Sequence, residues 1–346
     1  MKSKERENMS RLVILTKNYG YNFTGATMAT QQFVKRWSQK FTEVVVYTLH
    51  EGERFMQDNI QVKTFSQIPF LVMELRKAEG DEHDTVYYSD DHFGFLLGMI
   101  GKRYFHTYHG NWPDAAEISL KFWLKSFYFR PLYYLTLKNA AYVINVSYYM
   151  KKFTDTINKK STVIRNGMDF KVVDHEIQKF SDTCLMVGNV DQRKYKYCIA
   201  LAKILQARKS SIKIDIYGKI LDHQVADELG QFESVRLMGM VRNIPYRSYG
   251  AFLNLSIIEN LSISVCEAIA NHVPVICFDV GGLGEVVKNG ITGYVVPDKN
   301  MNQLYDVIVK TLRNPIHVDD SVLNDFNWDY SADKYVKLFE DVKYGK

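Results

Sequence analysis

The sequence predicts an α/β chain carrying two doubly wound parallel sheets. Three observations lead there. The chain has 346 residues, enough for two domains of ordinary size. Short runs that are apolar throughout, such as RLVILT at 11–16 and VICF at 275–278, recur along it and suit strands buried on both faces. Segments with helical spacing separate them, and alternating strand and helix is the pattern of a parallel sheet with helices on both sides.

Composition points to packed domains. Hydrophobic residues make up 46% and charged residues 24%, so a core is expected. No apolar run reaches the roughly 20 residues of a membrane-spanning helix. The charged start, MKSKERENMS, has no secretory apolar stretch behind it. Cys184, Cys198, Cys266 and Cys277 sit in apolar settings without metal spacing and read as buried, reduced thiols of a cytoplasmic protein. A net charge of +5 is too mild to imply nucleic acid.

In the first half, the strand at 11–16 is followed by a loop. Gly25 then opens a helix to about Ser38, with Ala26, Ala29, Phe33 and Trp37 on one face. Such a helix N-terminus can face phosphate, but the loop lacks G-x-G-x-x-G, so a dehydrogenase-type dinucleotide site is poorly supported. Further strands are expected at 43–49, 61–65, 84–89 and 104–107, with a helix near 93–100. Asp90, Asp91 and His92 follow one strand and His109 another, on the side where loops line a crevice. The stretch 114–141 mixes Phe122, Trp123, Phe127, Tyr128, Tyr133 and Tyr134 with Lys121, Lys125, Arg130 and Lys138. It reads as a core helix pair with snorkelling lysines or as a helix lying on an anionic membrane surface. The core reading is preferred, because the basic residues do not form a clean face. A strand at 141–145 and a helix from Ser147 follow, and Asn166-Gly167 is a turn dipeptide.

The second half opens with a strand at 184–187 and Gly188, then strands at 212–217 and 235–238. The stretch 252–297 concentrates the chemistry. A strand at 251–255 runs into a polar loop over 256–262. Ser264 and Glu267 read as an S-x-x-E capping box for a helix over 265–270. Pro274 ends that helix region, 275–278 is a strand, and Gly281, Gly282 and Gly284 crowd the next loop. Loops at the carboxyl ends of such strands suit phosphate. Glu259 and Glu267, which bracket the first loop, suit neutral sugar or ribose hydroxyls that donate to them.

The spacing of Glu259 and Glu267, the run EAIANHVPVICFDVGGLGEVV and the element NGITGYVVP together resemble the C-terminal signature of retaining glycosyltransferases of family 4, the group 1 glycosyl transferases. NGMD at 166–169 resembles the family's interdomain element, His109-Gly110 its HG element, and the tail around Trp328, Tyr335 and Leu338 its closing helix. The resemblance implies the GT-B fold, two Rossmann-like domains facing a cleft. It implies an acceptor-side domain at 1–169, a nucleotide-sugar domain at 170–325 and a closing helix at 326–346 that crosses back. It also implies that Glu267 holds the ribose hydroxyls, that Glu259 contacts the donor sugar, and that the amides of Leu261, Ser262, Ile263 and Ser264, with Asn260 beside them, meet the distal phosphate. By the same resemblance Lys194 would stabilise the leaving diphosphate and His109 would sit near the reacting sugar. Gly25 and Gly188 would lie along the donor, Arg242 would end the loop that holds the base, and Asp90, His92 and Asn111 would fall on the acceptor side. The family uses no metal-binding D-x-D, and no cofactor is expected beyond the nucleotide sugar, most simply a UDP-sugar.

One departure stands out. The family has an Arg where this chain has Asn189, and Tyr195 replaces a Gly. Asn donates hydrogen bonds without a charge; Arg193, nearby, is the candidate to compensate. The expected activity is transfer of a sugar to a hydroxyl of a glycan, lipid-linked or protein acceptor in bacterial surface glycan synthesis, by a monomer or homodimer. The alternative is a non-catalytic subunit that binds a sugar nucleotide or glycan and supports a partner.

Overall fold

A computed structural model describes residues 9–21, 25–77, 84–109, 120–169, 180–241 and 243–344. The chain divides into two compact units, residues 1–168 with 325–346, and residues 169–324.

Among the described residues of the first unit, seven parallel strands form one sheet. They are β1 (Met9–Leu15), β3 (Phe41–Thr48), β5 (Ile60–Thr64), β6 (Thr85–Ser89), β7 (Tyr104–Tyr108), β8 (Tyr142–Asn145) and β9 (Ser161–Val163). Their order is β5-β3-β1-β6-β7-β8-β9, and a short pair, β2 (Asn18–Tyr19) with β4 (His50–Glu51), stands apart. Side chains alternate between two cores, as parallel strands buried on both faces require. Leu12 and Ile14 face one, with Phe33, Trp37 and Tyr88. Val13 and Leu15 face the other, with Leu71, Leu97 and Leu137. The helices here are α1 (Gly25–Trp37), α2 (Ile68–Lys77), α3 (Gly94–Met99), α4 (Leu120–Asn139) and α5 (Tyr148–Thr154).

The reading of 114–141 as a core helix pair is corrected. Residues 114–119 lie outside the described residues, and 120–139 form one helix that contains Pro131. Thr136 and Leu137 are buried, whereas Leu120, Trp123, Leu124, Phe127 and Tyr128 are exposed. Among the described residues no helix is long and apolar enough to cross a membrane.

In the second unit the parallel order is β12-β11-β10-β13-β14-β15. The strands are β10 (Phe180–Val187), β11 (Lys213–Tyr217), β12 (Val235–Gly239), β13 (Tyr249–Asn254), β14 (Val275–Phe278) and β15 (Gly293–Val296). Around them lie α6 (Gln192–Ala207), α7 (His223–Gly230), α8 (Ile263–Ala270), α9 (Leu283–Val286) and α10 (Met301–Arg313). The four cysteines are buried and form no disulfide.

Two helices of this unit end in Schellman turns closed by a non-glycine residue. After α6, the Lys209 amide donates to Gln206 and the Ser210 amide to Leu205, with Lys209 at φ 48. After α8, the His272 amide donates to Ile269 and the Val273 amide to Ala268, with His272 at φ 57. The left-handed conformation costs a side-chain-bearing residue roughly 1 kcal/mol. Lys209 is exposed, so Lys209→Gly should stabilise the chain by about 0.5–1 kcal/mol in urea unfolding.

The last helix, α11 (Trp328–Tyr344), belongs to the first unit. It packs on α1, with ring centroids 4.8 Å apart for Phe33 and Tyr335 and 5.8 Å for Trp37 and Phe339. Tyr335 and Phe339 are fully buried; Trp328 and Leu338 are partly so. The Met168 amide donates to the Phe326 carbonyl at 3.1 Å, so the chain leaves this unit beside the point where it returns.

Candidate functional site

In an open parallel sheet the ligand crevice opens where strand order reverses, outside the carboxyl ends. In the second unit that place lies between β10 and β13, the neighbours from which the order runs both ways. The loops leaving those two strands carry most of the expected donor residues.

After β10, Gly188 has φ +148, and a Cβ there would lie 2.8 Å from Lys194 Nζ. The missing side chain therefore leaves room for the lysine to lie over the strand end. Asp191 caps α6, accepting from the amides of Arg193 at 2.9 Å and Lys194 at 3.3 Å. Lys194 Nζ stands 3.8 Å from Glu259 Oε2. Asn189 is exposed at the rim. Arg193 turns its guanidinium back onto Asp191, donating through Nε at 3.1 Å and through Nη2. Its role as a ready substitute for the expected arginine is thus opposed by an existing carboxylate partner. Tyr195, the other departure, is buried and donates to the Gly188 carbonyl at 3.0 Å, steadying the turn from below.

After β13, the loop through Glu259 is held from two sides. The Ile257 amide donates to the Arg193 carbonyl at 2.7 Å, and the Gly282 amide to the Asn260 carbonyl at 2.7 Å. A Cβ on Gly281 would fall 1.5 Å from the Glu259 carbonyl oxygen, and one on Gly282 2.2 Å from that of Asn260. The glycine pair is therefore the seat of the Glu259–Asn260 backbone rather than a plain turn. Glu259 Oε2 is buried and accepts no hydrogen bond, leaving it beside Lys194 with acceptor capacity for a hydroxyl.

The capping box is corrected. The N-cap of α8 is Ser262, without a side-chain cap, and Ser264 is already inside the helix. The Ser264 hydroxyl instead meets Ser262 Oγ at 3.0 Å and donates to the Val187 carbonyl at 3.4 Å. Glu267 accepts from the Tyr246 hydroxyl at 2.6 Å. Burial, with the Glu267 charge adding, holds that phenol well above its usual pKa. With no side-chain cap, the first turn of α8, from Ile263 to Val265, leaves its amides open toward an anion. Leu261 leads into it, partly exposed, and Ile263 is exposed.

The first unit has its own reversal between β1 and β6. Asp91 clasps it, accepting from the Lys17 amide at 2.5 Å and the Phe93 amide at 2.8 Å. Asp90 is 3% exposed and accepts from Thr30 of α1. His92 is 5% exposed among Phe93, Tyr128, Phe129 and Tyr133. Both acceptor-side candidates thus sit at the strand's end but beneath the surface. His109 follows β7 directly and is partly exposed; burial of its imidazole lowers the pKa to about 4, so it is neutral at pH 7. Gly25 is the exposed first residue of α1, and a Cβ there would touch nothing within 4 Å, so packing does not require a glycine. Asn111 and Arg242 lie outside the described residues.

Burial pushes the Asp90 carboxyl up to about 7; the neighbouring charge of Asp91 adds to this and the Thr30 hydrogen bond opposes it. The folded chain then keeps a proton that the unfolded chain releases near its usual 3.8, so stability falls as pH rises from about 4 to about 7. His106 and His109 act in the opposite sense, since their lowered values make stability rise with pH below about 6.5. A variant-minus-wild-type difference isolates the carboxyl. Asp90→Asn should gain on wild type by about 2–3 kcal/mol between pH 5 and pH 7 in denaturant titrations.

Two contributors to the site, Asp191 and Tyr246, are not among the residues the sequence singles out, and the contact Gly281 makes is not foreseen there either. Asp191 carries a signal, an Asp just before a helix. The anchoring of Glu267 by Tyr246 and the seating of Glu259 by Gly281 are long-range contacts without a local pattern.

Residues 181–314 match the protein family described as Glycosyl transferases group 1, and residues 23–172 the one described as Glycosyltransferase Family 4. An uncharacterised glycosyltransferase of Methanocaldococcus jannaschii is 24% identical over 318 residues, covering 87% of this chain and 88% of its own length. An uncharacterised 41.2 kDa protein in the cps region of Klebsiella pneumoniae is 24% identical over 262 residues, covering 69% and 72%. Sucrose-phosphate synthase from Thermosynechococcus elongatus superposes with a TM-score of 0.73 at 17% identity, over 97% of this chain and 100% of that one. Anabaena HepE, solved in complex with UDP and glucose, superposes with a TM-score of 0.65 at 16% identity, over 97% and 99%. The fold is GT-B.

Proposed function

The chain belongs to the group 1 glycosyl transferases, and from that premise we propose that it is a retaining, metal-independent hexosyltransferase. Its donor is a UDP-sugar, and its acceptor is a hydroxyl of a growing glycan in bacterial surface polysaccharide or glycoconjugate synthesis. The observation that carries this reading is the convergence at one strand-order reversal of Lys194, the unbonded Glu259 Oε2 and the uncapped start of α8. The complex of Anabaena HepE with UDP and glucose supports the donor class, and the cps-region relative supports the setting.

Each group has a role in that reaction. The α8 amides and Lys194 hold the diphosphate and stabilise its charge as the sugar leaves. Glu267, already fixed by Tyr246, accepts from the ribose hydroxyls. Glu259 accepts from a hydroxyl of the sugar and places its anomeric carbon. The leaving phosphate oxygen takes the acceptor proton, so no protein base is required. Asn189 adds a neutral donor at the rim. His109, neutral at working pH, brings a hydrogen bond rather than a charge to the strand end of the first unit.

Thermal shifts with UDP, GDP, ADP, CMP and dTDP test the reading. A nucleotide at 100 times its Kd adds about 2.7 kcal/mol. Selective stabilisation by UDP supports the proposal, and stabilisation by another nucleotide alone reassigns the donor. No response to any nucleotide favours the non-catalytic subunit, a reading that Asn189 and the Arg193–Asp191 pair motivate. The two glutamates should separate: Glu259→Gln leaves UDP affinity within about twofold but cuts transfer, whereas Glu267→Ala weakens UDP by about 1.5–3 kcal/mol. Equal losses of UDP affinity in both variants would contradict the assignment.

A further inference from the structure

The second unit has a cavity of about 340 Å³ at the end of its sheet away from the donor loops. Its walls come from the turn into β13, the turn into β14 and the end of α10. These turns lie at the amino ends of strands, whereas Lys194 and Glu259 follow carboxyl ends. The six-residue strand β13 separates the two places by about 20 Å. The volume is that of a small-molecule site, in which an apolar lining joins a few polar groups. Pro274, Leu312, Pro315 and Ile316 supply the apolar part, Arg247 a cation and His272 an imidazole. Among the described lining residues none is acidic. Arg247 is half-buried and His272 exposed, so solvent reaches the cavity.

His272 is held there against its backbone preference. It closes the turn after α8 at φ 57, where glycine is the usual residue. Lys209 shares that conformation but does not line this cavity. The His272 ring lies parallel to that of His317, with centroids 6.5 Å apart, and meets the Val318 carbonyl through Nδ1 at 3.2 Å. A carbonyl only accepts, so Nδ1 carries the hydrogen of that contact. Nε2 is left for a ligand: it accepts from an O–H and, once protonated, donates to an anion. Arg247 has five N–H groups in a planar fork, which suits a carboxylate or phosphate alongside other partners.

We infer that this cavity binds a small organic anion, a carboxylate or phosphate monoester on an apolar body, and that its occupancy tunes the donor site. The head group meets Arg247 and His272, and the body lies on Pro274, Leu312 and Ile316. Two contacts connect these walls to Glu267. Asn271, next to His272, donates through Nδ2 to the Glu267 carbonyl at 2.8 Å. Tyr246, next to Arg247, donates to the Glu267 carboxylate at 2.6 Å. Helix α8 itself spans about 12 Å between Asn271 and its open amides. Coupling is reciprocal, so UDP must change the affinity for the anion by the factor with which the anion changes that for UDP. The coupling rests on the donor role proposed for Glu267; the binding does not.

The test is thermal shift and equilibrium titration of the full chain with benzoate, phenyl phosphate, inorganic phosphate and benzyl alcohol. Benzoate or phenyl phosphate should bind saturably, and the tighter of them identifies the head group. Inorganic phosphate and benzyl alcohol, head and body alone, should each bind weaker by about tenfold or more. Arg247→Gln and His272→Gly should each weaken the preferred probe by about fivefold or more. Glycine suits φ 57, so His272→Gly should melt no earlier than wild type. Should Arg247→Gln melt early, His272→Gly decides alone. At saturating probe the affinity for UDP should change by about fivefold in wild type and not in His272→Gly. Failure of both aromatic anions to bind overturns the site, as does binding that ignores both substitutions or that UDP excludes completely. Unchanged UDP affinity overturns the coupling and keeps the site. If UDP does not bind at all, the donor role fails, while the probes alone still decide the cavity.

Discussion

Lys194→Ala should lower sugar transfer about 10²–10³-fold, or roughly 3–4 kcal/mol in the barrier, with a smaller loss of nucleotide affinity. The size follows from where charge develops. In the ground state the donor diphosphate already carries negative charge and shares it with solvent. As the sugar leaves, one oxygen gains charge at the spot a fixed cation must meet. Among the described residues of this loop pair, Lys194 is the cation so placed: Asn189 is neutral, and Arg193 is committed to Asp191. Glu259, 3.8 Å from Lys194 Nζ, holds the ammonium near the strand end before donor arrives. The variant also leaves that carboxylate without its cation, which should repel the diphosphate somewhat. The measurement is kcat and KM for UDP-sugar turnover, with UDP affinity determined separately. A loss confined to KM would assign Lys194 to ground-state binding only. A hundredfold loss in kcat would show that one lysine carries the work the family divides between two cations.

Much of this site is legible in the sequence. The strand expected at 275–278 falls on the observed residues because its apolar run is bounded by Pro274 before and Asp279 after. The alternation of strands and helices implies a reversal of strand order, and with it the placing of Lys194 and Glu259 at strand ends. The start of α8 departs from its sequence pattern for a physical reason. S-x-x-E is a local pattern, but the chain begins the helix at Ile263, before Ser264, and Glu267 is drawn to Tyr246 twenty-one residues upstream. The exposed face of α4 is hidden differently. With apolar residues on both sides of the helix, sequence periodicity cannot tell which side packs, and only burial separates Phe129 from Phe127.

The other large effect should come from a glycine that touches no substrate. Gly281→Ala should destabilise the chain by about 2–4 kcal/mol and abolish nucleotide binding at concentrations that saturate wild type. Two costs add. The residue sits at φ +60, where a side chain costs roughly 1 kcal/mol. Its Cβ would also fall 1.5 Å from the Glu259 carbonyl oxygen, a backbone atom that no rotamer change can move aside. Such overpacking costs about 1–3 kcal/mol when the surroundings shift to relieve it. Here the shift must displace the Glu259–Asn260 backbone, which also receives the Gly282 amide at 2.7 Å. Moving it carries Glu259 away from Lys194 and tilts the entry to α8, so one methyl group disturbs all three parts of the donor site together. Gly284→Ala is the internal control: its Cβ would meet nothing nearer than 3.8 Å, and it should leave stability and binding close to wild type. Urea titration with a UDP thermal shift on both variants reads the two effects. If Gly281→Ala binds UDP normally, the glycine pair is only a turn, and the seating of Glu259 by this loop is not what holds the donor site in place.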